Sequence, residues 1–344
     1  MPPAPPPSPA SRLKVAGVVL FYIAAALSMV MANKWVLNTT TTPLFFLMTQ
    51  CIIAVLLFLI SDAMRILPDR LSFEVRACKG LVPMVSLSVL GLSLSNYTLK
   101  YVDASFYQVA RGLVLPFTVC VSGWMLHTRP SLPILFSCAI VTAGFFIGVF
   151  LDGTPLSMVG VGFGVASSTI TATHSVIIKQ SLKVVNDSTI LLSWYTNLLN
   201  VFVLLPIVMF VEGGDVMKLL FGIEELAKAP GEWSALRTFV YGSLITGVVG
   251  FLMSLASLLS IKVTSPITHM VSSAVRGVAA SLLGMWLFHD VMTSGRASSI
   301  AIILFGSIYY TWVKHKETEA ARPAEYERVR MSELESGHQK APPQ

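Results

Sequence analysis

Residues 261–290 read IKVTSPITHMVSSAVRGVAASLLGMWLFHD, a helix-length run that holds a single charge, Arg276, between Lys262 and Asp290. Residues 100–127, KYVDASFYQVARGLVLPFTVCVSGWMLH, repeat its plan. A lysine and a short polar turn lead to Ala110-Arg111-Gly112 where the later stretch has Val275-Arg276-Gly277, and Trp-x-x-His closes both segments. A charge kept at the same place in two apolar segments implies two halves of one site.

The rest of the chain sets the medium in which that site must work. Of 344 residues, 54% are hydrophobic and 12% charged, with mean hydropathy +0.72. Soluble domains carry about 25% charged residues, so this composition describes a polytopic membrane protein. Backbone polar groups in hydrocarbon must be paired within the protein, and the apolar runs are helix-length without strand alternation. The expected fold is therefore all-α. Ten apolar segments occur, at roughly 14–33, 44–62, 81–99, 104–126, 131–150, 157–178, 189–211, 237–260, 266–288 and 293–313, each close to the 20 or so residues that a bilayer requires.

Ten spans divide into five plus five. An odd number per half makes the second repeat inverted relative to the first, with repeat 1 at about 13–150 and repeat 2 at about 157–314. Residues 1–12 form a proline-rich arm expected to be extended, and residues 315–344 a charged tail. Lys and Arg in the connections favour a cytosolic location for both termini, which puts the acidic connection 212–236 on the opposite side. The net charge of +6 belongs to the body of the protein, since the tail is balanced, and is no nucleic-acid footprint. Cys51, Cys78, Cys120 and Cys138 lie apart, without the paired spacing of a disulfide framework or a metal site. No cofactor is implied.

An arginine at mid-membrane costs about 2.5–3.5 kcal/mol and normally faces a cavity or a partner. No acidic residue lies inside a span to neutralise Arg111 or Arg276. Either a ligand's phosphates supply the counter-charge, for which a planar guanidinium is suited, or carbonyls and hydroxyls hold each arginine as a structural clamp. Helical spacing places His269 and Ser273 on the Arg276 face and Tyr107 one turn before Arg111. Four lysines recur at span ends. Lys100 and Lys262 follow spans 3 and 8 and join the candidate site by their repeat positions. Lys34 and Lys179 end spans 1 and 6 and stand as a pair of mouth residues, for which snorkelling to the headgroups is the default. In span 7, Ser193, Asn197 and Asn200 share a face beside Tyr195. Substrate contact and interhelical hydrogen bonding are both open for it. The face Ser167, Thr171 and His174 in span 6 reads as helix packing. Gly144-x-x-x-Gly148 and Gly160-x-x-x-Gly164 permit close helix approach, within the chain or at a homodimer face.

The chain resembles the nucleotide-sugar and triose-phosphate transporters of the drug/metabolite transporter superfamily over nearly all ten spans. Lys100-Tyr101-Val102 through Phe106-Tyr107 to Arg111 is similar to that family's signature. Thr264-Ser265-Pro266-Ile267-Thr268-His269 and Tyr309-Tyr310-Thr311-Trp312-Val313-Lys314 look most like its GDP-fucose branch. The resemblance implies a Golgi-membrane carrier exchanging cytosolic nucleotide sugar for lumenal nucleoside monophosphate, with the endoplasmic reticulum as the other compartment. Where GDP-sugar relatives have Phe-Tyr-Asn-Asn, this chain has Trp194-Tyr195-Thr196-Asn197. Where they have a glycine followed by lysine, it has Ser273-Ala274-Val275-Arg276. The cation survives and the base and sugar stay open, so a UDP-sugar such as UDP-xylose stands beside GDP-fucose. A triose-phosphate or small-phosphate carrier is the next alternative, and a non-transporting membrane regulator the last. A membrane glycosyltransferase would need an acidic set such as Asp-x-Asp, which the sequence lacks.

Overall fold

The computed structural model describes residues 9–127, 129–151, 157–221, 234–263 and 266–338, and their side chains apart from 9–16, 18, 19, 179, 254–275 and 321–338. Among these residues the protein is helical, in the order α1 (Pro9–Thr39), α2 (Pro43–Ala63), α3 (Val75–Tyr101), α4 (Ala104–Gly112), α5 (Val114–Met125), α6 (Leu132–Phe150), α7 (Met158–Leu182), α8 (Thr189–Val211), α9 (Gly213–Leu220), α10 (Ala235–Val263), α11 (Pro266–Phe288) and α12 (Ser294–His338). Eight stretches are long and apolar enough to cross a membrane, the α4–α5 pair counting as one, and Arg276–Phe288 is a shorter apolar helix. Helix α1 already begins at Pro9, inside the segment that composition marks as extended. Proline's fixed φ suits a first helical position, and its missing N–H costs nothing there.

Local chemistry sets the ends. Ser157 and Ser188 cap α7 and α8, their hydroxyls accepting from Gly160 N and Leu191 N at 3.2 Å. His127 and His289, the closing residues of the two repeated stretches, both lie in the left-handed region at φ 50° and 56°. That conformation stops a right-handed helix, and histidine tolerates it better than a branched residue.

The fourth span is broken, and the break bears on the site. Pro116 has no N–H to bond the carbonyl four residues back at Gly112. Leu113 N instead bonds Ala110 O at 3.2 Å, a tighter turn than the α-helix, and Ser168 Oγ of α7 donates to the same Ala110 carbonyl at 2.8 Å. Arg111 thereby falls in the last turn of α4, where the peptide dipoles favour a cation.

Helix α6 packs on α12, α3 on α7, α1 on α10, and α2 on both α8 and α10. Helices α4, α5 and α11 close the middle against α7, α1 and α12. Buried side chains form one large cluster around α2, α3 and α8 and another around α4, α6 and α12. The two small-xxx-small pairs serve these contacts. A Cβ on Gly148 would lie 2.6 Å from Ser299 Oγ and 2.9 Å from Val109 Cγ1, and one on Gly164 would lie 2.9 Å from Ala110 Cβ. These glycines are spent on packing within the chain. Gly148→Val should therefore overpack the α4–α6–α12 contact by about 1–3 kcal/mol. A lowered melting temperature in detergent, with the elution volume unchanged, would register it.

Candidate functional site

Two cavities meet at Arg111 and Arg276. One, of about 360 Å³, lies between α1, α3, α4 and α7 and includes Tyr22, Ser95, Tyr107 and His174 in its wall. The other, of about 350 Å³, lies between α4, α5, α11 and α12. Both volumes fall within the 300–1,000 Å³ usual for small-molecule sites. Among the described residues neither wall contains an aspartate or glutamate.

Each arginine rests on a tyrosine in the same way. Arg111 Nη1 donates to Tyr107 Oη at 3.3 Å with its guanidinium carbon 5.8 Å from that ring's centre, and Tyr107 Oη also pairs with Ser95 Oγ at 2.9 Å. Arg276 Nη1 donates to Tyr22 Oη at 3.3 Å, again with 5.8 Å to the ring centre. The phenols steady the cations. The two guanidinium groups lie within electrostatic reach of each other. Two like charges in one site repel, and a bound anion relieves that repulsion. A third, smaller chamber of about 180 Å³ joins the first cavity through the shared residues Met29, Asn33 and Asn96, and carries Gln50, Asn197 and Thr246. Gln50 Nε2 donates to Asn33 Oδ1 at 2.9 Å, and Asn197 Nδ2 to Ser193 O at 2.8 Å.

The structure thus brings together Arg111, Arg276 and Tyr107, with Asn197 in the adjoining chamber. Tyr195 lies elsewhere. It is 1% exposed, and its hydroxyl accepts from Glu74 N at 2.9 Å, holding the start of α3 against α8. Lys100 sits at the end of α3 with Nζ 3.4 Å from Thr41 O, outside the cavity walls. The side chains of Lys262, His269, Ser273 and Lys179 lie outside the described residues. Sequence spacing missed Tyr22, whose role depends on α1 crossing α11. It also assigned Ser167, Thr171 and His174 to packing, whereas all three line the cavity wall.

Lys34 departs most from its expected place. It does not snorkel: it is 5% exposed and donates to Leu99 O at 2.8 Å and Val102 O at 2.6 Å, closing the turn between α3 and α4. The carboxylates of Asp290 and Asp103 lie within its field. Around it is an ionic cluster that the linear charge count treated as loop residues. Arg296, 1% exposed, donates to Asp103 Oδ2 at 2.8 Å, Ser105 Oγ at 2.9 Å and Val291 O at 2.9 Å. Asp290 Oδ2 accepts from Ala104 N at 2.9 Å; burial and the Asp103 charge push its carboxyl up, while that amide and Lys34 pull it down. Glu212, assigned to a solvated loop, turns inward and accepts from Leu44 N and Phe45 N at 2.9 Å, at the positive end of α2. Burial pushes this carboxyl up too, partly offset by the two amides. One end of the bundle, where α1, α3, α8 and α11 finish, is tied by charged contacts.

These contacts predict an asymmetry. The Asp103 side chain is 41% exposed and that of Arg296 1%, so Asp103→Asn takes a carboxylate away from a buried guanidinium, whereas Arg296→Met leaves a carboxylate that water can reach. We expect about 3 kcal/mol for the first and about 1 kcal/mol for the second, measured as shifts in thermal unfolding of the detergent-solubilised protein.

Comparison with known proteins agrees with this architecture. Residues 13–311 match the Triose-phosphate Transporter family. GDP-fucose transporter 1 of Monosiga brevicollis is 30% identical over 89% of this chain and 91% of its own length. The Golgi GDP-fucose transporter of Drosophila melanogaster is also 30% identical, over 89% and 91%. A solved crystal structure covering 88% of this chain and 98% of its own shares the fold alone, with TM-score 0.51 at 12% identity. With matches that span nearly all of its helices, the chain belongs to the triose-phosphate transporter family.

Proposed function

We propose that this protein carries a nucleotide sugar, GDP-fucose or one of like build, into the Golgi lumen in exchange for nucleoside monophosphate. The observation that carries this reading is the pair Arg111 and Arg276, held by phenols in the walls of cavities that contain no described carboxylate. A diphosphate brings negative charge to this pair, and a guanidinium binds phosphate oxygens through two parallel bonds. Relatives that match about nine-tenths of the chain are GDP-fucose transporters, one of them of the Golgi.

The carrier reading includes a five-plus-five inverted repeat, α1–α6 and α7–α12, with both termini cytosolic. The packing supports it. Exchanging the halves turns the α3–α7 contact into α10–α1, α2–α10 into α8–α3, and the α4–α5 contact with α6 into α11–α12. The α6–α12 and α2–α8 contacts map onto themselves. The left-handed His127 and His289 close matching spans. In this orientation the charged end is lumenal. Asp290 with Ala104, Arg296 with Asp103, and Glu212 with the start of α2 all join one half to the other there. Release on that side requires those contacts to part.

A UDP-sugar such as UDP-xylose is the second reading, favoured by the burial of Tyr195, which removes one of the residues shared with GDP-sugar relatives from the cavity walls. Purified protein in liposomes loaded with GMP or UMP and offered labelled GDP-fucose and UDP-xylose separates the two. Counterflow of GDP-fucose against GMP is expected, and absence of counterflow with every nucleotide sugar rejects the function. Arg111→Ala and Arg276→Ala should each lower uptake roughly 100-fold or more while the protein still elutes as a single folded species, since each strips a desolvated cation from its anion. The lysine variants should fall between, because a point charge replaces the planar fork.

A further inference from the structure

The two arginines are held alike in geometry and unlike in topology. Tyr107 and Arg111 lie on one helix, α4, so their bond moves as a unit with it. Tyr22 belongs to α1 and Arg276 to α11, so their bond crosses from one half of the repeat to the other. Helices α1 and α11 run parallel toward the charged end. About 18 Å of helix separates Tyr22 from Lys34 on α1, and as much separates Arg276 from Phe288 on α11. Between those points the contact is apolar, with Leu27, Val30 and Met31 in one cluster with Ala280 and Leu283. The charged contacts farther along, Arg296 with Asp103 and Asp290 with Ala104, have no member in either cavity wall among the described residues. Tyr22 and Arg276 both stand in the wall of the cavity between α1, α3, α4 and α7. A ligand at the arginines therefore meets this cross-half bond directly.

Resting on the reading of an exchanger built from two halves, we propose that Tyr22 is a positioning residue that makes the exchange obligatory. With the site empty, its bond to Arg276 holds α1 to α11 and restrains the halves from moving past each other. A phosphate seated in the fork of the Arg276 guanidinium uses the Nη1 donor that now serves the Tyr22 hydroxyl. The phosphate oxygen is the stronger acceptor, because its hydrogen bond to a guanidinium joins two opposite charges. Binding thus trades a bond between the halves for a bond to the cargo, and the restraint is lifted with the cargo aboard. Arg111 can give up its phenol without freeing any helix, since Tyr107 is on its own. A hydrogen bond to a charged group is worth about one to two powers of ten in an equilibrium, which sets the scale of the restraint on the empty carrier.

The test uses the full-length protein in liposomes with and without internal GMP, offered labelled GDP-fucose, and in parallel with UMP and UDP-xylose. Uptake is counted as the part that excess unlabelled substrate suppresses, so that leakiness of the bilayer drops out. Wild-type uptake should require the internal nucleotide. Tyr22→Phe, which removes the hydroxyl and keeps the ring, should raise uptake into nucleotide-free liposomes at least about tenfold relative to its own counterflow, and Tyr22→Leu should do the same. Tyr107→Phe removes a bond of the same length within α4 and should lower counterflow without any such gain. A merely structural tyrosine would lose both activities together. Tyr22 variants that counterflow and still require internal nucleotide overturn the assignment. So do loss of counterflow in both Tyr22 variants, the same gain in Tyr107→Phe, and wild-type uptake that needs no internal nucleotide. In each of these cases the carrier function stands on the wild-type uptake. Wild-type protein that takes up no nucleotide sugar removes the carrier reading, and the role of Tyr22 with it.

Discussion

A charge inside a bilayer has to be answered by something. The protein answers its buried charges in two ways. At one end of the bundle they are paired within the chain: Arg296 with Asp103, Lys34 with backbone carbonyls in the field of Asp103 and Asp290, and Glu212 with the free amides of α2. At the centre Arg111 and Arg276 each rest on a phenol, in cavity walls that contain no carboxylate among the described residues. The first arrangement has the features of architecture, with short bonds to partners within the chain. The second sets two cations close together in the walls of two cavities, an arrangement suited to an anion.

The two arrangements are built from the same stretch of chain. Asp103 and Arg111 stand either side of α4, the shortened first half of the fourth span. Asp103 anchors its start to Arg296, and the break at Leu113 ends it one residue pair beyond Arg111. Tyr107, between them, holds Arg111 and reaches Ser95. Helix α4 is thus a rigid spacer that ties the placement of the central cation to the ionic cluster at the charged end. A carrier that exposes its site to two sides in turn has reason to couple them, because the contacts that close one end then also define the geometry in which the anion is held. Glycines allow the spacer to sit close to its neighbours: Gly148 meets Val109 and Gly164 meets Ala110, so α6 and α7 pack directly on α4.

The chamber of Asn33, Gln50 and Asn197 and the cavity beside α5 and α12 lie on either side of two arginines that recur in the sequence after Ala110 and Val275. Repetition supplies the paired charges, and the different helices behind them supply different walls. On one side stand the inward faces of α1, α2 and α3, rich in asparagine, glutamine and serine. On the other stand α5 and α12, with Leu115, Ile303 and Leu304 beside Thr118, Ser307 and Tyr310.

Composition alone determined that this chain lives in a membrane as helices, because hydrocarbon forbids an unpaired backbone. The repeated Ala-Arg-Gly and Val-Arg-Gly within chargeless spans was enough to single out Arg111 and Arg276, since the cost of a buried guanidinium is legible from its surroundings in sequence. The tyrosine at helical spacing, Tyr107, was legible for the same reason of local periodicity. Only the tertiary structure decided which charges near span ends belong to water. Lys34, Asp290, Arg296 and Glu212 look like solvated connections in the linear order, yet they turn inward because their partners come from distant parts of the chain, half-exposed Asp103 reaching Arg296 across 193 residues. Tyr22 and His174 entered the cavity walls, and Tyr195 left them, by the same logic. Which face of an apolar helix meets the cleft depends on the neighbours that cover the other faces, and periodicity within one helix carries no record of them.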